Sequence, residues 1–247
     1  MSSEAAIRLE HVTKSFEGHK VLDDLSLDIP EGSAFCLLGR SGTGKSVTLK
    51  HIIGLVRPDS GHVFVHGKDV PALPRSELSE IRRSMGFLFQ EAALFDSITV
   101  GENVAFPLRR HTDWRDPKIR EVARAKLADV DLEEDYNKMP AELSGGMRKR
   151  AGLARAMALD PDILLVDEPS AGLDPITAAE IDRLLVALKR SGTTLVVVTH
   201  NIPSARHIGD ELALLHDGHV IERGTAAELD QSESELVRSF MRSQGTG

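Results

Sequence analysis

The sequence has one cysteine, one tryptophan, one tyrosine and no apolar run approaching the roughly 18 residues that a membrane-spanning helix needs. It therefore predicts no membrane span and no disulfide within the chain. The single thiol, Cys36, lies in an apolar run and is expected to be a small core residue. The opening residues, MSSEAAIRLE, have neither the charged-then-apolar pattern of a signal peptide nor the arginine-rich character of a transit peptide.

The charge balance also argues against some functions. There are 38 Asp and Glu residues against 30 Lys and Arg, and the formal net charge is −8. An acidic chain is a poor candidate for general nucleic-acid binding and for binding anionic lipid on its own. A chain of this kind that serves a membrane must be held there by a protein partner. Its 247 residues suffice for one large α/β domain with an ample core.

Residues 39–46 read GRSGTGKS, the Gly-x-x-x-x-Gly-Lys-Ser pattern of a phosphate-binding loop. An apolar run at 34–38 precedes it and a helical stretch at 47–54 follows, which is the context that this pattern requires. The glycines let backbone N–H groups surround phosphate oxygens, and the helix adds its positive end. Lys45 would place an ammonium on the outer phosphates, and the Ser46 hydroxyl suits Mg²⁺. The predicted nucleotide-binding residues are Gly39, Arg40, Ser41, Gly42, Thr43, Gly44, Lys45, Ser46 and Val47.

Residues 163–168 read ILLVDE, an apolar strand that ends in two carboxylates. In a phosphate-loop enzyme the first acid, here Asp167, helps to hold Mg²⁺. Glu168 is then placed to orient and deprotonate the attacking water as a general base. The alternative is a solvated pair of acids before the turn at Pro169, and the phosphate-binding loop in the same chain disfavours it.

His200 follows a third apolar run, at 194–199. A lone histidine after a buried strand is more often structural than catalytic. Parallel strands, however, deliver their carboxyl ends to one crevice. We therefore expect His200 to donate a hydrogen bond to the γ-phosphate and to position the water.

The string LSGGM at 143–147 opens a helical stretch over 145–159. Ser144 stands where free N–H groups and the positive helix end point outward, and such an end favours an anion. Because the chain's own loop already holds a triphosphate, the natural candidate is the nucleotide of a second copy. An ordinary helix cap would account for Ser144 but not for two consecutive glycines.

The apolar pattern predicts an α/β fold with a mainly parallel sheet and helices on both faces. Alternation over 7–12 and 25–29 predicts an antiparallel subsheet near the N-terminus. Residues 91–160 break the strand–helix rhythm and are expected to form an inserted α-helical subdomain that carries LSGGM. Core strands are predicted near 34–38, 85–89, 163–167, 194–199 and 212–216.

Taken in order, GRSGTGKS, Gln90, LSGGM, ILLVDE, AGLD (171–174) and His200 resemble the ATPase subunit of an ABC transporter. The resemblance covers about residues 6–230 and leaves 231–247 as a short C-terminal helix and tail. It implies a phosphate-loop NTPase that binds ATP and Mg²⁺ and works as a homodimer. It also implies that Phe16 stacks on adenine, with a core phenylalanine as the alternative.

The resemblance assigns roles to several further positions. The implied catalytic residues are Lys45, Gln90, Glu168 and His200, and the implied Mg²⁺ ligands are Ser46, Gln90 and Asp167. The implied contacts to the γ-phosphate of the other protomer come from Ser144, Gly145 and Gly146, and Asp174 is implied at the dimer seam.

Finer features resemble the lipid-trafficking branch, the Mla-type phospholipid transport ATPases and their Mce-associated relatives. Met147 stands where glutamine is usual, Val47 follows GKS, residues 167–177 read DEPSAGLDPIT, and 236–241 resembles the short C-terminal helix of that branch. The implied partners are an integral membrane permease and an Mce-domain substrate-binding protein, with room for a STAS-like small subunit. The implied place is the cytoplasmic side of a bacterial inner membrane.

Two other functions stay open. One is the ATPase of a different ABC transporter branch. The other is a soluble ABC ATPase that acts on nucleic acid or ribosomes, although such chains usually carry two cassettes or a long coiled coil. A catalytically dead cassette is disfavoured because Lys45, Asp167, Glu168 and His200 are all present.

Three smaller patterns complete the predictions. His216 and His219 flank an Asp-Gly turn, which a hairpin explains better than a metal site does. The basic clusters at 109–111 and 148–150 predict solvated faces, although the first follows the loop where a membrane subunit should dock. The final Gly-Thr-Gly is expected to be frayed.

Overall fold

The computed structural model describes residues 5–243, and within them it contains two β-sheets, nine α-helices and three short 3-10 helices. The final Gly-Thr-Gly lies outside the described residues. The strands are β1 (Ala5–Phe16), β2 (His19–Pro30), β3 (Ala34–Leu38), β4 (Ser60–Val65), β5 (Lys68–Asp69), β6 (Met85–Leu88), β7 (Ile163–Asp167), β8 (Thr194–Thr199), β9 (Glu211–His216) and β10 (His219–Gly224). The helices are α1 (Lys45–Ile52), α2 (Arg75–Arg83), α3 (Val100–His111), α4 (Asp116–Ala128), α5 (Gly145–Ala156), α6 (Pro175–Arg190), α7 (Ile202–Ile208), α8 (Ala226–Asp230) and α9 (Glu235–Arg242).

The N-terminal sheet is antiparallel and has the strand order β2-β1-β4-β5. Ile7 pairs with Ile29 and Leu9 with Leu27, and all four side chains are buried. Their alternation with polar residues buries one face of each strand, as the period of two requires. The predicted antiparallel subsheet is confirmed.

The larger sheet has the order β10-β9-β3-β8-β7-β6, and all neighbours except the β9–β10 pair are parallel. Leu38 at the end of β3 pairs with Thr199 of β8, and Asp167 at the end of β7 pairs with Val198. The carboxyl ends of these three strands are therefore level, so their following loops meet at one edge. The mainly parallel sheet was predicted correctly.

Between β6 and β7 the described chain contains α3, α4 and α5 and no strand. Their apolar faces join the core cluster that covers one side of the larger sheet. Thr99 begins α3 with a capping box, since its side chain accepts from the Glu102 amide and the Glu102 carboxylate accepts from the Thr99 amide. Helix α5 ends at Ala156, three residues before the predicted end.

The hairpin at 216–219 is also as predicted. His216 and His219 are paired, and the two turn residues, Asp217 and Gly218, both have positive φ angles, of 48° and 80°. Positive φ at both central positions is what a type I′ hairpin turn requires.

Cys36 is fully buried in β3, and this burial raises the pKa of its thiol to about 12. None of the described helices is both long enough and apolar enough to cross a bilayer. The predicted helix near the C-terminus is α9, which buries Val237 and Met241 against the larger sheet's core cluster.

Candidate nucleotide site

The phosphate-binding loop joins β3 to α1, and two of its glycines are required by geometry. An added Cβ at Gly39 would lie 2.6 Å from the Leu215 carbonyl oxygen. Gly44 has a φ of 102° and stands immediately before α1, a conformation that L side chains rarely adopt. The Lys45 ammonium folds back on this loop and donates to the carbonyl oxygens of Gly39 and Arg40, at 2.8 and 3.0 Å.

Ser46 and Asp167 meet at the base of this loop. The Ser46 hydroxyl donates to Asp167 Oδ1 at 2.8 Å. Burial raises the pKa of Asp167, and the hydrogen bond from Ser46 opposes that rise. A hydroxyl and a carboxylate in contact are hard oxygen donors of the kind that Mg²⁺ prefers. The two residues therefore fit the cation that the sequence predicted here.

Glu168 sits where three strands end, and its carboxylate is held on several sides. Its Oε1 atom lies 3.2 Å from the Lys45 ammonium. Its Oε2 atom accepts from the Thr199 hydroxyl at 3.1 Å and contacts His200 Nδ1 at 3.0 Å. The Glu168 φ is 45°, a left-handed conformation that is unfavourable for a side chain of this size. The structure thus brings together Lys45, Glu168 and His200 as predicted, and adds Thr199.

His200 is half-exposed, which leaves its ring accessible from the crevice. Its backbone amide also donates to Glu168 Oε2, at 3.3 Å. This arrangement links His200 to the predicted base. Its contact with the γ-phosphate stays a prediction.

The prediction of a solvated face at 148–150 is wrong for Lys149. The Lys149 side chain is 5% exposed, and its ammonium donates to the Glu168 carbonyl oxygen at 3.0 Å. Burial lowers the pKa of Lys149, and the nearby carboxylates oppose that shift. The spacing Gly146–Lys149–Leu153 along one buried helix face could have indicated this, because residues three or four apart share a face. The other predicted solvated face is confirmed at Arg109 and Arg110, which are exposed.

Ser144 and the two glycines after it begin α5. Ser144 is exposed and caps the helix, accepting from the Met147 amide at 3.2 Å. Gly145 is exposed, and an added Cβ there would meet only Leu173, at 3.5 Å. Gly146 is different, since an added Cβ would lie 2.3 Å from Thr177 Cγ2. Packing within the chain therefore explains why residue 146 is glycine. The sequence had suggested only a contact between Gly146 and the nucleotide of a second copy.

Asp174 is the cap of α6, next to this helix start. Its carboxylate accepts from the amides of Ile176 and Thr177 and from the Thr177 hydroxyl. These bonds lower the pKa of Asp174, the Thr177 hydroxyl contributing most. Thr177 therefore contacts both Asp174 and Gly146 and fixes α5 against the start of α6.

Two further predicted site residues, Phe16 and Gln90, are both exposed. Phe16 ends β1 and is 43% exposed, with the Lys14 ammonium 5.4 Å from its ring centroid. The alternative of a core phenylalanine is therefore wrong, and stacking on adenine stays a prediction. Gln90 is exposed two residues after β6. Leu88 pairs with Val166, which places Gln90 at the same sheet edge as Glu168.

More than half of the chain that carries this site matches a known protein family. The sequence model of the family described as "ABC transporter" matches residues 22–171. The chain belongs to the ABC transporter family. The ATPases of this family hydrolyse ATP to drive transport, and the match includes the phosphate-binding loop, the LSGGM string and both strand-end carboxylates.

Three related proteins align with most of the sequence of this ABC ATPase. The chain is 44% identical over 243 residues to the probable ribonucleotide transport ATP-binding protein mkl of Mycobacterium leprae, covering 98% of this chain and 70% of that protein. It is 40% identical to the intermembrane phospholipid transport system ATP-binding protein MlaF of Escherichia coli K12, covering 90% and 82%. It is 38% identical to MlaF of Haemophilus influenzae, covering 98% and 92%.

Solved structures of other ABC ATPases have the same fold. The dimeric post-hydrolysis structure of the cassette MJ0796 with ADP and phosphate gives a TM-score of 0.82 at 36% identity, covering 89% of this chain and 98% of that one. The structure of cbiO1 from Clostridium perfringens, part of the transporter complex cbiONQ, gives 0.84 at 27% identity, covering 97% and 96%. The predicted fold class is confirmed.

Proposed function

We propose that this ABC ATPase powers phospholipid trafficking through a membrane permease and acts as a homodimer with two ATP molecules at its seam. The observation that carries the catalytic part is the junction of Lys45, Glu168 and His200 at the edge where β3, β7 and β8 end. An ion pair joins Lys45 to Glu168, and His200 contacts the same carboxylate. A cation for the phosphates, a carboxylate base and a side chain that orients it are groups that hydrolysis of a phosphoanhydride uses.

In the proposed reaction a water molecule attacks the γ-phosphorus, and the bond to the β-phosphate oxygen breaks, giving ADP and inorganic phosphate. Lys45 and the loop amides balance the phosphate charge. Glu168 accepts the proton of the attacking water, a role typically worth about 10² to 10⁴ in rate. His200 contacts the same carboxylate and would orient it and the water together.

Mg²⁺ would be held by Ser46 and Asp167, with Gln90 approaching from the neighbouring strand end. When bound, the ion would neutralise charge on the β- and γ-phosphates. The side chains that hold it are positioned by the protein alone, since Ser46 and Asp167 already contact each other at 2.8 Å.

Dimer formation is supported by the exposed start of α5. Ser144 and Gly145 present the first amides of a 12-residue helix to solvent, and such a terminus attracts an anion. We infer that it covers the γ-phosphate held by the other copy, with Gly146 behind it and Asp174 at the seam. The relative MJ0796 was solved as a dimer, which supports the same arrangement here.

The permease site that we propose is a groove of roughly 340 Å³ between β6 and α3. Phe95 and Phe106 are both nearly half-exposed there, with ring centroids 4.9 Å apart. An exposed aromatic pair bordered by cations fits the apolar and acidic side chains of a short helix from a membrane subunit. The side chains around the pair include Arg83, Phe89, His111 and Arg155. Such docking would hold the chain at the cytoplasmic side of the inner membrane.

The cargo assignment rests on resemblance. The two MlaF relatives are phospholipid transport proteins by name, and this chain covers 82% and 92% of them, whereas the mkl relative is a probable ribonucleotide transport protein. We propose phospholipid because Met147, Val47 and the DEPSAGLDPIT segment all follow the Mla-type pattern. An Mce-domain protein and a STAS-like subunit would be further partners on the same grounds.

Co-purification and transport together test this function. The chain, expressed with the membrane proteins encoded beside it, should be recovered with a polytopic permease, and the reconstituted complex should move labelled phospholipid in an ATP-dependent way. Phe106→Asp should abolish the recovery of the permease and leave the ATPase activity of the isolated chain intact. The exposed Trp114→Asp is the matched control. ATP-driven transport of ribonucleotides would show that the cargo is a ribonucleotide and not a phospholipid. RNase-sensitive recovery with ribosomes would overturn the transport function.

A further inference from the structure

Lys149 is the buried cation of α5 that the proposed mechanism does not use. Its ammonium donates to the backbone carbonyl of Glu168 at 3.0 Å, and Lys149 is only 5% exposed to solvent. A buried ammonium that loses its acceptor carries a large desolvation cost. Separating the Lys149 ammonium from the Glu168 carbonyl is therefore unfavourable, so a movement of either group should be followed by the other.

The carbonyl that Lys149 holds belongs to a peptide with little freedom. The Glu168 amide donates to the Val198 carbonyl at 2.9 Å, and the Glu168 carbonyl also accepts from the Ala171 amide at 3.2 Å. The φ of 45° between these contacts is unfavourable and persists only where the surroundings enforce it. Lys149 is the contact that comes from the inserted helical segment, while the others come from β8 and from the loop itself.

Ser144 caps the N-terminus of the same helix, five residues before Lys149. Five residues span about 7.5 Å along a helix axis, so both ends of this segment move as one rigid piece. Helix α5 also packs against α6, because Gly146 lies on Thr177, and it is tied to the turn before it, because the Arg148 guanidinium donates to the Leu143 carbonyl. A displacement at Ser144 is therefore delivered to Glu168 through a charge-assisted bond.

We propose that Lys149 is a positioning residue that couples the two nucleotide sites of the dimer. It ties the helix end that contacts the partner's nucleotide to the general base acting on the chain's own nucleotide. ATP bound in one site would, through Ser144, α5 and Lys149, set the position of Glu168 in the other. This inference rests on the proposed roles of Ser144 and Glu168.

Lys149→Met tests the coupling because methionine keeps the apolar stem and removes the donor. We expect the kcat for ATP hydrolysis to fall about 10- to 100-fold, the size expected when a reacting group is misplaced by about 1 Å. The Kd for ATP should change less than about twofold, and the Hill coefficient for ATP should fall toward one. Lys118→Met, on the exposed face of α4, is the matched control and should match the wild type.

A double-mutant cycle separates positioning from general destabilisation. In a Glu168→Gln background, Lys149→Met should cause no further loss of turnover, because the group it positions is no longer a base. Wild-type kcat and Hill coefficient in Lys149→Met would overturn the inference, as would full additivity in the cycle. If Lys149→Met does not fold, Lys149→Gln decides. This variant keeps a neutral donor and should lose part of the kcat, and wild-type turnover in it would equally overturn the proposal. Wild-type turnover in Glu168→Gln alone would instead refute the base assignment, whatever Lys149→Met does.

Discussion

The Lys45 ammonium lies 3.2 Å from Glu168 Oε1, and both side chains are buried. The phosphate-binding cation is thus paired with the group that we assign as the base. A buried ion pair is tolerated only while each charge keeps a partner. In the proposed complex the ATP phosphates would compete with Glu168 for Lys45, while Thr199 and His200 contact the other carboxylate oxygen. We therefore expect nucleotide binding to release the Glu168 carboxylate from its ion pair with Lys45.

Glu168→Gln should slow ATP turnover by about two orders of magnitude or more, because the proton acceptor is removed. The same change should tighten ATP binding, since it removes both the ion pair with Lys45 and a negative charge beside the phosphates. Turnover and the Kd for a fluorescent ATP analogue measure the two effects. Size-exclusion chromatography with saturating ATP should show a trapped dimer, and an unchanged turnover number would contradict the assignment.

Gly145 and Gly146 should respond differently to alanine. Gly146→Ala should lower the free energy of unfolding by about 1–3 kcal/mol, because its Cβ would overlap Thr177 Cγ2. Thr177→Ser removes that methyl group and should restore most of the loss. Gly145→Ala should leave stability within about 0.5 kcal/mol and instead weaken ATP-dependent dimerisation in the Glu168→Gln background. Denaturant unfolding and sedimentation measure these quantities. Equal stability losses at both positions would count against this division.

Phe16→Ala should raise the Kd for ATP about tenfold, in line with a stacking contribution of roughly 1–3 kcal/mol, and leave kcat unchanged. Thermal stability should hardly change, because the side chain is 43% exposed. Phe16→Trp should retain affinity, and binding of tripolyphosphate should be the same in all three proteins. A loss of tripolyphosphate binding in Phe16→Ala would show that Phe16 supports the phosphate-binding loop and does not stack on adenine.

Asp167→Asn should raise the melting temperature at neutral pH by a few degrees, about 2–4 °C, while reducing ATPase activity. Burial raises the folded-state pKa of Asp167 above its ordinary 3.8, so the folded protein binds this proton more tightly than the unfolded chain does. The ionised group therefore costs stability that develops as the pH rises from 3.8 through the raised pKa. Below that window the variant and the wild type should converge. Asp113→Asn, at an exposed position, is the matched control and should leave the melting temperature at neutral pH and the ATPase activity unchanged.

Local patterns predicted the strands and the site because each depends on neighbouring residues. The runs at 34–38, 163–167 and 194–199 became strands with the same bounds, since continuous apolar stretches suit strands that are buried on both faces. Parallel pairing places the carboxyl ends of these strands at one edge of the sheet. Lys45 and Glu168 follow two of these ends, so the strand positions alone predict that the two side chains lie close together.

Contacts between distant elements could not be predicted in the same way. Lys149 looks like part of a basic cluster until α5 is placed against the loop after β7, where the Glu168 carbonyl accepts a hydrogen bond from the Lys149 ammonium. Gly146 likewise looks like a ligand residue until Thr177 is packed beside it. The partner is 19 residues away in sequence for Lys149 and 31 residues away for Gly146. Only the tertiary packing of α5 against the loop after β7 and against α6 selects these partners.

Because the Cys36 thiol is fully buried, the protein is suited to labelling with thiol-reactive probes at a newly introduced cysteine. With its thiol pKa raised to about 12, the native residue stays protonated and inaccessible near neutral pH, so maleimide dyes and spin labels will not react with it in the folded state. A single new cysteine at an exposed position away from the nucleotide-binding loop, such as Asp113→Cys, would then be the one reactive thiol. Distances between labels on two subunits could follow opening and closing without first removing the natural cysteine.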